Sequence, residues 1–276
     1  MPESYVDRLV ARYEEQLLGF GASLPEEFKK SALLLDGVLG ESELDQWAET
    51  GIGLAGQSLR AWEAATEYFR ATPVIHATIG FQGIIAWAQL AANIAEKSSL
   101  VAASFIKFTP SVLEYLTLDD LEEWSLQGDR LFRGNWKSGT LSAAYFEYTP
   151  ALLEFLPLAS IEKLVSIIDA LTERSYELAS TCLESATRIF GELESSDREP
   201  FLGFARAVTR ASWADTRLYF ERGPALITSI SPEHRANFLD LSAKVTSEVG
   251  RQAFPLFADA AESLGQLSED THADHI

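Results

Sequence analysis

The 276-residue chain carries 41 acidic and 22 basic residues, a formal charge of −19, with 47% apolar and 23% charged residues, the balance of a soluble folded chain. That charge repels phosphate backbones and anionic bilayer surfaces, so neither nucleic acid nor membrane is an expected partner. A single cysteine, Cys182, excludes an internal disulfide and any multi-cysteine metal site, and four histidines, two of them in the last five residues, leave little for a metal centre.

The N-terminal Met1-Pro2-Glu3-Ser4 has no basic stretch ahead of an apolar run, so no secretory signal is expected. Residues 5–38 read as a first helical hairpin without the signature found later, which makes 1–40 an N-terminal cap. Asp36-Gly37 is not flanked by alternating runs and reads as a helix end. Leu44, Trp47, Gly51 and Leu54 are spaced 3, 4 and 3 apart, one face of an α-helix. Gly51-Ile52-Gly53-Leu54-Ala55-Gly56 matches G-x-G-x-x-G, but it falls within that helix rather than after a strand, so dinucleotide binding is not expected. A second helix then ends on Tyr68-Phe69-x-x-Thr72-Pro73. Residues 71–95 hold no charge and are long enough to cross a bilayer. Pro73, His76, Gly80, Gln82, Gly83, Gln89 and Asn93 argue instead for a helix buried on most sides among others, with His76 a core histidine.

The chain repeats itself. A shift of 77 residues aligns 44–73 with 121–150 without a gap and gives eight identities: Leu44/Leu121, Trp47/Trp124, Gly51/Gly128, Leu54/Leu131, Tyr68/Tyr145, Phe69/Phe146, Thr72/Thr149 and Pro73/Pro150. Chance would give roughly two. A copy lies between them, led by Trp87 and ending on Phe105, Thr109 and Pro110. Tyr219-Phe220-x-x-Gly223-Pro224 repeats the signature, and the copy over 164–190 lacks the proline. The period of 37 to 40 residues is that of one helix–turn–helix unit. The recurrent mid-helix glycine predicts close approach of another helix. Thr109-Pro110 and Thr149-Pro150 read as the N-cap and first position of new helical turns. The expected fold is all-α: an α-solenoid of about six stacked hairpins in one domain over 1–267. Repeats occupy 41–230, a C-terminal cap 231–267 and a flexible tail 268–276.

Catalytic constellations are sparse. Ser104-x-x-Lys107 and Ser160-x-x-Lys163 match S-x-x-K without the companion motifs of serine acyl enzymes. Asp119, Asp120, Glu122 and Glu123, and the pair Glu192 and Glu194, read as helix-end charges rather than paired catalytic carboxylates. Cys182 reads as a small buried apolar residue. Trp47, Trp87 and Trp124 hold repeat positions and read as core, and Trp62 as mid-helix packing. Trp136 and Trp213 fall outside the repeat pattern. Trp136 sits in Arg130-Leu131-Phe132-Arg133-Gly134-Asn135-Trp136-Lys137, a basic and aromatic turn in an acidic chain. Aromatic residues and arginine are enriched at binding hot spots, so Arg130, Arg133, Trp136 and Lys137 are the candidate partner site. Arg206, Arg210, Arg217 and Arg222 form a second basic set that could bind an acidic ligand, although pairing with neighbouring acids is the default reading.

The string Leu-x-x-Trp-x-x-x-Gly-x-x-Leu followed by Tyr-Phe-x-x-Thr-Pro-x-x-Leu-x-x-Leu resembles the helical repeats upstream of the von Willebrand A domain in bacterial nitric-oxide-reductase-activation and rubisco-activation proteins. It is carried here by Leu121, Trp124, Gly128, Leu131, Tyr145, Phe146, Thr149, Pro150, Leu153 and Leu156, with the copy at 44–73. The resemblance spans about 40–230 and implies a cytoplasmic adaptor of a MoxR-type AAA+ ATPase. The Asp-x-Ser-x-Ser motif of the A domain is missing, and with it that metal site. The expected function is a non-catalytic protein–protein interaction scaffold without cofactor or metal. The alternative is a small-molecule-binding or enzymatic helical domain with its site in a concave groove.

Overall fold

A computed structural model describes residues 4–273. The fold is all-α. Among the described residues there are thirteen α-helices and no strand: α1 (Tyr5–Phe20), α2 (Leu24–Leu35), α3 (Glu41–Ala55), α4 (Ala61–Ala95), α5 (Ser99–Val112), α6 (Leu118–Leu131), α7 (Trp136–Leu153), α8 (Leu158–Thr172), α9 (Tyr176–Glu192), α10 (Ser195–Ala211), α11 (Trp213–Thr228), α12 (Pro232–Val249) and α13 (Ala253–Ala273). An isolated bridge joins Asp36 to Leu39 around Gly37, at the end of α2 as expected. α13 continues into the segment read as a tail, since 268–273 contain no glycine or proline to stop it; residues 274–276 lie outside the described residues.

The helices gather into two compact units, 1–150 and 151–276. In the second unit α8/α9, α10/α11 and α12/α13 form successive hairpins. The first helices of these pairs pack in series, α8 on α10 on α12, as do the second helices, α9 on α11 on α13. In the first unit the hairpins are α1/α2, α3 with the first half of α4, the second half of α4 with α5, and α6/α7. α4 serves two hairpins because Gly80 breaks it at φ 66°, ψ 174°, a backbone region open essentially to glycine alone. Among the described residues the pairs therefore number seven, one more than the repeat spacing suggested.

The 77-residue displacement runs through three first helices. α3, α6 and α10 begin at 41, 118 and 195, and Trp47, Trp124 and Phe201 occupy the same place in each. Each is fully buried between an aromatic ring of the preceding second helix and one of its own. Trp47 lies 5.2 Å from Phe28 and 5.0 Å from Phe69; Trp124 lies 5.1 Å from Phe105 and 4.8 Å from Phe146; Phe201 lies 5.8 Å from Phe190 and 5.7 Å from Phe220. The mid-helix glycine does what its recurrence predicts. A Cβ on Gly51 would stand 2.3 Å from the Phe69 ring, and one on Gly128 would stand 2.1 Å from Phe146.

Two readings of these elements need correcting. The Thr-Pro pairs are not N-caps. Pro73, Pro110 and Pro150 lie inside α4, α5 and α7, and Thr72, Thr109 and Thr149 donate their hydroxyls back to the carbonyls of Tyr68, Phe105 and Tyr145 at 2.7, 2.8 and 2.6 Å. An N-cap threonine would hold extended backbone and accept from an open amide; here the helix already runs through it. Pro110 and Pro150 stand within a turn of the helix end, where the missing amide is least disruptive. Nor is α4 buried on most sides. It is long and apolar enough to cross a membrane, yet a third of its most apolar stretch is buried, because each half turns one stripe to its hairpin and leaves residues such as Val74, Gln82 and Gln89 exposed. His76, on this helix, is half-buried rather than core.

Candidate functional site

The α6–α7 turn holds the four residues singled out in the sequence. α6 ends at Leu131, and the chain reverses through Gly134 at φ 73°, a left-handed conformation that favours glycine. The buried Ser138 ties the turn together. Its hydroxyl accepts from the amides of Arg133 (2.9 Å) and Asn135 (3.3 Å) and donates to the Asn135 carbonyl (2.8 Å). The Asn135 side chain accepts in return from the Ser138 amide at 3.0 Å. This reciprocal cap opens α7 and fixes the backbone beneath Trp136, its first residue. The Trp136 side chain is 76% exposed, and the Lys137 ammonium lies 5.7 Å from its ring centroid. Arg130 and Arg133 are exposed on the same turn, and each makes a contact of its own. The group most open to a partner is therefore the indole with its lysine.

Trp136 does not stand outside the repeat, as the sequence reading had it. Leu59, Trp136 and Trp213 succeed one another at 77 residues, the displacement that relates the buried tryptophans. All three lie in or just after the turn between the two helices of a hairpin, and all three are exposed. Alignment on core residues hides this register, because the recurring property is a large apolar side chain facing water. Arg133 and Arg210 share the same displacement.

The second basic set disperses. Arg217 pairs with Glu221 at 2.7 Å and Arg222 with Glu262 at 3.5 Å, the default expected of them. Arg206 is exposed on α10, and Arg210 lines an open cleft in the second unit. The S-x-x-K match at Ser160 and Lys163 is a clamp between α8 and α10: both side chains bond to Glu199. Burial opposes ionisation of Glu199, but those bonds, with the lysine's charge, outweigh it and hold the carboxyl below its usual range. Cys182 is buried, and burial, with Glu221 nearby, pushes its thiol up to about 12. Asp119 and Asp120 fall in the first turn of α6, Glu192 ends α9 and Glu194 stands at the N-cap position of α10, helix ends as expected, whereas Glu122 and Glu123 lie in the second turn of α6, inside the helix. Gly51–Gly56 lies within α3 and its C-cap. Among the described residues no three His, Cys, Asp or Glu side chains are grouped to hold a metal ion.

Comparison with family models, with curated proteins and with solved structures gives no match to this chain.

Proposed function

We propose that the protein is a non-catalytic protein–protein interaction scaffold whose partner docks on the α6–α7 turn through Trp136 and Lys137, with Arg130 and Arg133 at its rim. One observation carries this reading: a 76% exposed indole on a turn made rigid by the Ser138–Asn135 cap. Aromatic anchors held in advance bind with little loss of side-chain freedom, which is why hot spots favour them. The stacking of hairpins within each unit offers an extended surface, and its acidity suits a partner with basic regions. A cytoplasmic MoxR-type AAA+ ATPase as that partner is proposed from the sequence resemblance, and the charge disfavours nucleic acid and bilayers.

The test is affinity isolation from native lysate with the wild-type chain and with Trp136→Ala in parallel, read by mass spectrometry. A partner engaged here should lose about 2 kcal/mol of binding in the variant, roughly 30-fold. Retention of every captured protein would remove this site. Turnover of a small molecule by the purified chain, abolished by changing one carboxylate, would overturn the scaffold reading. The second reading, a small-molecule-binding helical domain, has one observation in its favour: the arginine-lined cleft of the second unit.

A further inference from the structure

The cleft lies wholly within residues 151–276, has a volume of about 640 Å³ and is built at the hairpin turns. Because α8, α10 and α12 pack in series, their C-terminal ends come to one edge. Each end brings an arginine into the lining: Arg174 just past α8, Arg210 in the last turn of α10, Arg251 just past α12. An arginine at a helix C-terminus complements the helix dipole, and that accounts for one such residue on one helix. It does not account for three turned into a single space, where their charges repel.

The rest of the unit sharpens the point. Outside the cleft, Arg188, Arg217, Arg222 and Arg235 each pair with a carboxylate and Arg198 bonds to the carbonyls of Leu193 and Phe155, while Arg206, alone and exposed on α10, forms no ion pair among the described residues. Among the described residues no ion pair is formed by Arg174, Arg210 or Arg251, although acids outnumber bases 41 to 22 in the chain. The opening turn of α11 faces the same space, since Ser212, Trp213 and Ala214 line it and their helix presents its positive end there. Guanidinium forks and a helix N-terminus are the donors that bind phosphate groups.

One further lining residue narrows the class. Trp213, 47% exposed overall, lines this cleft and offers a face on which a planar ring can stack. Asp215 also belongs to the lining, but its unpartnered carboxylate oxygen is closed off from solvent and so lies out of reach of a ligand in the cleft. Glu173 is the second carboxylate of the lining, and it already has a partner of its own. We propose that this cleft is a binding site for a nucleoside di- or triphosphate. The arginines and the α11 terminus hold the phosphates, and Trp213 stacks the base. The site goes beyond the scaffold reading and stands or falls independently of Trp136.

Isothermal titration calorimetry of the full chain with pyrophosphate, ADP, adenosine and a poly-glutamate peptide tests it. Pyrophosphate and ADP should bind, with ADP about tenfold tighter because of base stacking. Trp213→Ala should erase that tenfold difference and leave pyrophosphate binding in place. Arg174→Glu with Arg210→Glu should weaken both ligands by about 100-fold, from the loss of charge-assisted bonds. Should that double variant fail to fold by circular dichroism, Arg251→Gln alone should weaken both about tenfold. No binding of pyrophosphate or ADP at millimolar concentration would overturn the proposal. So would binding indifferent to the arginine changes, or heat from adenosine alone or from the poly-glutamate peptide alone.

Discussion

The two units build the same hairpin by different means. At the third position of their first helices, 77 residues apart, stand Asp120 and Asp197. Asp120 is half-buried and closes a capping box, accepting from the Thr117 amide (2.8 Å) and hydroxyl (2.7 Å). Asp197 is buried and meets Arg235 at 3.3 Å; that guanidinium also reaches Glu194 at 2.7 Å and the carbonyls of Ile230 and Thr228. One turn further on, the first unit has Trp124 and Gly128, and the second has Phe201 and Ala205. With alanine in place of glycine the rings stand 5.7 Å apart rather than 4.8 Å. The indole nitrogens of Trp47 and Trp124 are buried without an acceptor, so ring bulk alone favours tryptophan there and phenylalanine can replace it. A polar lock on α12 thus accompanies looser ring packing in the second unit, while close backbone approach needs no such lock in the first.

The largest test of that contrast is Trp124→Ala. It should cost about 3–5 kcal/mol in chemical denaturation, because a fully buried ring leaves a cavity between two phenylalanines. Asp197→Ala should cost about 3 kcal/mol, since Arg235 would remain buried with part of its charge unpaired. The Cys182 thiol reports on this second unit: buried and with its pKa pushed up, it should react with a disulfide reagent slowly in the wild type and markedly faster in Asp197→Ala. If the variant's thiol stays protected, the ion pair is not what holds the unit.

Exchange at the small-residue position sharpens the comparison. Gly128→Ala should destabilise by about 1–3 kcal/mol by forcing the Phe146 ring aside, although alanine is the better helix former. Ala205→Gly should cost about 1 kcal/mol, the ordinary helix penalty and nothing more. The smallest expected effect is Thr117→Ala, about 1 kcal/mol at neutral pH. The Thr117 hydroxyl, and then its amide, hold the Asp120 carboxyl below its ordinary range. A depressed carboxylate stabilises the fold above its unfolded pKa, and that contribution is lost as pH falls through the folded value. The gap between Thr117→Ala and wild type should therefore narrow on acidification. α10 offers no counterpart, because Glu194 makes no side-chain cap.

The residues that packed the fold were legible because they leave fixed spacings: Trp47, Gly51 and Tyr68 recur as Trp124, Gly128 and Tyr145. The division of α4 at Gly80 was not, since a break without a loop leaves no run of turn residues. The Thr-Pro pairs misled for a related reason: the sequence shows a capping residue before proline but not that the helix is already under way. The candidate turn was found through its charge and indole. Its place in the repeat, with Leu59 and Trp213, is not legible from identities, because what recurs there is a large exposed apolar side chain and not one residue type. Of the arginine cleft only Arg210 was legible, grouped with the wrong neighbours, because Arg174, Arg210 and Arg251 line one space only when three hairpins stack.

The central claim is that two tryptophans twelve residues apart have opposite roles, Trp124 for the fold and Trp136 for a partner. The most direct measurement is the unfolding free energy of Trp136→Ala, made beside its affinity isolation from native lysate. Stability within about 0.5 kcal/mol of wild type, with loss of a protein the wild type retains, is the predicted result. A loss of stability comparable to that of Trp124→Ala, or unchanged capture, would contradict it.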